Sequence, residues 1–130
     1  MPTSTDPLTT EIHPDGYMVM TLSGNLSSDV LETLQANVHT ATQMSKVYAE
    51  SKGKPNILFD MTKFSGEYSV RALQEMVKFA EDTRPYARKV ACFGGPAIGQ
   101  VAGEMVVALS GRDNIQFFKT KEEALSWLVA

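Results

Sequence analysis

The chain has a single cysteine, Cys92, which excludes an internal disulfide framework and makes the reducing cytoplasm the default setting. It has two histidines, His13 and His39, far apart, and no HxH, HExxH or CxxC spacing. The common ways of assembling a metal site are therefore missing, and neither metal nor cofactor is expected. Charge of one sign is scarce as well: the formal net charge is -3. The densest basic group, Arg84, Arg88 and Lys89, is too small for the basic face that nucleic acid requires. No apolar run approaches the ~20 residues a membrane-crossing helix needs, so the protein is not expected to be transmembrane. The first ten residues carry Pro2 and Pro7 and lack the positive-then-apolar order of a signal peptide. What is present is an ordinary globular composition, 43% hydrophobic and 21% charged over 130 residues, a length that suits one domain. Residues 1–7 read as a flexible leader and residues 8–130 as the single domain.

Within that domain, residues 8–13 are weakly strand-like and lead into the turn Pro14-Asp15-Gly16. Residues 17–22, apolar on both faces, follow as a strand, and the two are expected to form an antiparallel hairpin. Gly24-Asn25 should break the strand, and Ser27 or Ser28 should cap a long helix with the stripe Val30, Leu34, Val38, Ala41, Met44 and Val47. Gly53 and Pro55 end it. Then come a strand over residues 57–61, a polar loop, and a helix over residues 69–82 with Val70, Leu73, Met76 or Val77, and Ala80 facing inward. Lys89 to Phe93 is a buried strand, followed by a Gly94-Gly95-Pro96 turn and a helix over residues 97–109 that is apolar on most of its circumference. A short strand over residues 115–118 and a helix over residues 121–129, with a Thr120/Glu123 capping box, complete the order ββαβαβαβα. That order calls for an α/β fold: a mostly parallel sheet with an N-terminal antiparallel hairpin strand.

The apolar burst Asn56-Ile57-Leu58-Phe59-Asp60-Met61 ends in a carboxylate at the carboxyl end of a parallel strand, where open α/β sheets bind their ligands. Asp60 has no second carboxylate spaced with it as a catalytic pair, so it reads as a local acceptor of N–H bonds from the following loop. Gly94-Gly95-Pro96-Ala97-Ile98-Gly99 sits between strand and helix, but Pro96 removes an N–H and no GK[ST] follows. It reads as a tight turn rather than a phosphate cradle. Ser65 and Ser69 lack a G-x-S-x-G setting, and Cys92, between Ala91 and Phe93, reads as a small buried hydrophobe. Phe64 and Tyr68 either contact a partner from the loop after Asp60 or fold back as lids on the core. The candidate binding surface is thus Asp60, Phe64, Ser65, Tyr68, Ser69 and Arg71, with Gly94 and Gly95 beside it. No catalytic residue is identified, and the protein is not expected to be an enzyme.

With this element order, Leu58-Phe59-Asp60-Met61 and the tail Glu122-Glu123-Ala124-Leu125-Ser126-Trp127-Leu128 following Phe117-Phe118, the chain resembles the STAS superfamily, in particular its SpoIIAA-like branch. STAS domains are those of sulfate transporters and anti-sigma-factor antagonists. In phosphoregulated members the loop ends in Asp-Ser-Ser-Gly, and the second serine is phosphorylated by a partner kinase. The matching stretch here is Tyr68-Ser69-Val70-Arg71, with Val70 at the acceptor position. The resemblance implies a non-enzymatic protein-interaction or regulatory module without that switch, whose protein partner is unknown. Its alternative is carriage or sensing of a small apolar ligand such as a lipid. The third helix, with Ile98, Met105 and Val106, and the methionines Met18, Met20, Met44 and Met76 are candidates to line such a cavity. The long, weakly charged first helix offers a face for a homodimer.

Overall fold

Met18, Met20 and Leu22 alternate with Val19 and Thr21, and the period of two sends them to one buried face of a strand. They belong to β2 (Met18–Leu26) in a computed structural model that describes residues 6–130. β2 pairs antiparallel with β1 (Leu8–Ile12), placing Leu8 opposite Leu22. Gly16 supplies the positive φ, +92°, that the connecting turn requires. The first five residues of the leader lie outside the described residues. Pro7 is buried, and its carbonyl accepts the Ser23 N–H at 2.9 Å.

β3 (Asn56–Tyr68), β4 (Lys89–Phe93) and β5 (Ile115–Phe118) join β2 in parallel, and the five strands lie side by side in chain order. Strands added in sequence order by right-handed crossovers put their helices on one face. Accordingly α1 (Leu31–Lys52) packs on α2 (Val70–Thr83), and α2 on α3 (Ala97–Ser110), over a core that includes Met20, Phe59, Met61 and Cys92. α4 (Lys121–Val129) closes the opposite face over Leu58, Ala91 and Phe93, and its Thr120 hydroxyl accepts the Glu123 N–H at 3.2 Å as the capping box requires.

Five local expectations are corrected. β3 does not end near Asp60 but runs to Tyr68, and β2 runs through Gly24-Asn25 to Leu26. The residues that read as breakers are instead irregularities in a continuing pair: the register shifts between Thr21 and Ser23 and again between Gly24 and Leu26. α1 starts at Leu31, after a 3-10 turn (Ser28–Val30), and neither serine caps it with its side chain. Its buried stripe passes through Leu34, Val38, Ala41 and Ser45, leaving Val47 61% exposed. Ser45 is tolerated there because its hydroxyl donates to the Ala41 carbonyl at 2.9 Å. In α2 the buried stripe is Ala72, Met76, Phe79, Ala80 and Thr83, and Val70 faces outward.

The β4–α3 turn is the tightest junction. A Cβ on Gly95 (φ +83°) would lie 2.6 Å from the Met61 carbonyl oxygen, whereas one on Gly53 (φ +88°) would meet nothing within 4 Å. Gly53→Ala is therefore expected to cost about 1–3 kcal/mol for backbone strain alone, and Gly95→Ala more than Gly53→Ala because steric overlap with the Met61 carbonyl is added. Urea unfolding of the two variants side by side checks the difference.

Candidate functional site

β4 ends at Phe93, opposite Asp60, so beyond that level β3 pairs only with β2. The result is a two-stranded ribbon projecting past the sheet, from Ser23 opposite Lys63 to Leu26 opposite Tyr68. The ribbon is anchored at both ends. The Ser69 N–H donates to the Leu26 carbonyl at 2.8 Å, and α3 lies against its flank. There a Cβ on Gly66 would lie 2.5 Å from Ile98, and one on Gly99 would lie 2.9 Å from the Phe64 ring. Glycine at these two positions lets helix and ribbon touch.

This geometry gathers the expected site residues only in part. Asp60 sits level with Gly94 and Gly95, whose turn packs on Met61 and Thr62. Its carboxylate is occupied locally, with Oδ1 accepting the Thr62 N–H at 2.8 Å and the Thr62 hydroxyl at 2.6 Å. Ser65 is exposed further along the ribbon and accepts the Glu67 N–H at 3.3 Å. Ser69 caps α2 by accepting the Ala72 N–H at 3.1 Å, and Arg71 is exposed on the first turn. The aromatics turn inward: Phe64 is buried and Tyr68 is half-buried against the core, so the lid alternative describes them. Among the described residues no group of three or more His, Cys, Asp and Glu side chains converges as a metal site.

Behind the ribbon, between the sheet and helices α2 and α3, lies a cavity of about 100 Å3. Its lining is almost wholly apolar, including Met20, Phe59, Met61, Phe64, Met76 and Phe117. Val106 takes part as anticipated, but Ile98 and Met105, like Met18 and Met44, do not line it.

One charged side chain, Arg112, lines this cavity, and no sequence pattern marks it. Arg112 is 6% exposed in the loop after α3. Its Nη1 donates to the Ala80 carbonyl at 2.8 Å and the Thr83 hydroxyl at 3.2 Å, and its Nε donates to Asn114 Oδ1 at 2.9 Å. Nη2 is buried with no hydrogen-bond partner. Burial, followed by the nearby Arg84 charge, pulls the Arg112 pKa below its ordinary value; Asp113 and Cys92 act against that shift. Cys92 lines the same cavity, and burial pushes its thiol up to about 12, with Arg112 opposing the shift.

On its outer side α3 carries the row Ile98, Val101, Met105 and Leu109, all 39% exposed or more, at intervals that keep them near one helix face. The sequence marked this helix as apolar nearly all round, and the sheet covers only one side of it.

The SpoIIAA-like family profile matches residues 17–129. The chain belongs to the SpoIIAA-like family. Among solved structures it is similar to the anti-sigma factor antagonist SpoIIAA in its unphosphorylated form, at 15% identity and a TM-score of 0.57, covering 95% of this chain and 98% of that one. An anti-sigma factor antagonist from Mycobacterium paratuberculosis is 19% identical with a TM-score of 0.57, covering 99% of this chain and 100% of that one. SLC26A9 is 14% identical with a TM-score of 0.58, covering 88% of this chain but 20% of that much longer one. No curated protein matches. At these identities the structural likeness shows that this chain shares their fold. No helix among the described residues is long and apolar enough to cross a membrane.

Two outcomes follow from the site geometry. Ser69→Ala should cost about 1 kcal/mol by losing the cap, while Ser69→Asp, which keeps an acceptor at the helix start, should stay within a few tenths of wild type; chemical denaturation measures both. Cys92 has a folded pKa raised from 9.0 to about 12, so the stability tied to its neutral thiol is complete below pH 9 and is lost as pH rises from about 9 to about 12. At pH 8 a thiol reagent should leave the native protein unmodified and label Cys92 only after denaturation.

Proposed function

We propose that this SpoIIAA-like protein is a non-enzymatic regulatory module that binds a protein partner at the ribbon and the adjoining outer face of α3. The exposed row Ile98, Val101, Met105 and Leu109, with Val70 69% exposed at the start of α2, carries the reading. Exposed apolar side chains gathered on one helix face mark an interaction site. Ser65 and Glu67 flank Gly66, which abuts Ile98, and supply the polar rim that interfaces usually have. The occupant is a protein presenting an apolar surface, the kind of partner implied by the structural likeness to anti-sigma factor antagonists. The polar groups of the site, Asp60, Ser65 and Ser69, are each engaged in local bonds to backbone N–H groups, which suits a scaffold better than a reaction centre. Val70 in place of a phosphorylatable serine supports binding without that switch. The single sheet supports reading residues 8–130 as one domain.

Val101→Lys and Met105→Lys test this surface. Each places a charge on the outer face and should leave the melting temperature within about 2 °C of wild type while weakening the partner complex at least tenfold. The complex is identified by crosslinked co-purification from the source cell and then measured with both proteins purified. Unchanged binding by both variants overturns the surface. A wild-type dimer that dissociates in these variants on sedimentation reassigns the face to a second copy of the chain.

The cavity favours a second reading, in which the interior holds a small apolar ligand. A dry apolar cavity binds apolar molecules of matching size, as engineered cavities of about 150 Å3 bind benzene.

A further inference from the structure

We propose that the interior ligand is a small apolar carboxylate whose anionic head pairs with the buried guanidinium of Arg112. This rests on the reading that the cavity binds a ligand, and it names that ligand's chemical class. Arg112 has a cation nine-tenths buried, yet its partners are a carbonyl, a hydroxyl and an amide oxygen, and it forms no ion pair among the described residues. A buried charge without a counter-charge is unfavourable, and a carboxylate oxygen compensates it through a charge-assisted N–H bond. The free donor is the single nitrogen Nη2, the one buried side-chain nitrogen or oxygen among the described residues with no partner. The rest of the lining offers no second charge: Cys92 stays a neutral thiol, and Thr83 already donates its hydroxyl to Phe79. Arg112 is the one cation among the residues around an apolar chamber, and that pairing selects a molecule with one anionic end and an apolar body. The volume, about 100 Å3, limits that body to the scale of a single ring or a short acyl chain.

The probes are benzoate and hexanoate, with toluene and benzyl alcohol as neutral counterparts, measured by calorimetry and by NMR of the arginine side-chain N–H signals. Wild type should bind at least one carboxylate saturably, at one site, with a shift of the Arg112 Nη signals that the neutral compounds do not produce. Arg112→Met should weaken carboxylate binding about 30-fold or more while leaving the neutral compounds unaffected. If that variant does not fold, the Arg112 signals of the wild-type protein decide alone. Equal binding of neutral and charged probes with no Arg112 shift overturns the carboxylate and leaves the apolar chamber standing. No saturable binding of any probe overturns both.

Discussion

Parallel pairing of β2 with β3 continues past the point where β4 stops, and the features that distinguish this molecule hang on that overhang. Ordinary parallel sheets end their strands together and leave loops to make the site. Here the backbone bonds run on through two register shifts, so residues 62–68 are held as strand and not as loop. The ribbon fixes where α2 begins, through Ser69 and the Leu26 carbonyl, and gives the N-terminal turn of α3 a wall to rest on. It also brings Phe64 and Tyr68 over the gap between sheet and helices, which roofs the cavity instead of filling it.

At the other end of the cavity two arginines serve the ends of two helices. Arg112 Nη1 donates to Ala80, one of the last four carbonyls of α2, which lack partners within the helix. Arg84, at the end of α2, donates in turn to the Ser110 carbonyl at the end of α3. Both cations therefore sit at negative helix ends, where a positive charge is favoured by about 0.3–1 kcal/mol, and up to about 2 kcal/mol when partly buried. This explains how the fold tolerates Arg112 inside without a carboxylate. It does not satisfy the whole group: three of its five N–H donors face known oxygens at best, and the Nη2 edge has none.

The element order, the hairpin, the buried β4 and the capping box at Thr120 were legible because each rests on local rules: alternation, turn chemistry and capping. The extent of β3 was not. Ser65-Gly66 carries the composition of a loop, and only the pairing with β2 and the close approach of Ile98 explain why glycine stands there. Asp60 was correctly read as a local acceptor, since its bonds to Thr62 depend on sequence neighbours alone. Arg112 was invisible for the opposite reason. A lone arginine after Gly-capped α3 looks like a solvated loop residue, and its burial follows from contacts with residues about 30 positions away. Ser45 escaped notice in the same way, because a polar residue on the stripe is acceptable only once its hydroxyl bonds the preceding turn.

The two proposed binding roles converge on one helix. Gly99, Ala102, Gly103 and Val106 give α3 an inner face of small and medium side chains, against which the cavity lies; Ile98, Val101 and Met105 form its outer face. Small residues inside let the helix approach the Phe64 and Phe117 rings closely: a Cβ added at Gly99 or Gly103 would lie 2.9 Å or 2.8 Å from them. In the proposed roles a molecule in the cavity would press on that inner face, and a partner would grip the outer one. Thermodynamics then sets the terms of any link between them. An interior ligand can alter partner affinity only by the difference in its own affinity for the two positions of α3, and the partner must alter ligand affinity by the same factor. A rigidly seated helix gives a carrier and an adaptor that ignore each other, whereas one with two seats gives a sensor. The glycines at 99 and 103, which set the spacing of α3 from the rings beneath it, are where that distinction is built into the chain.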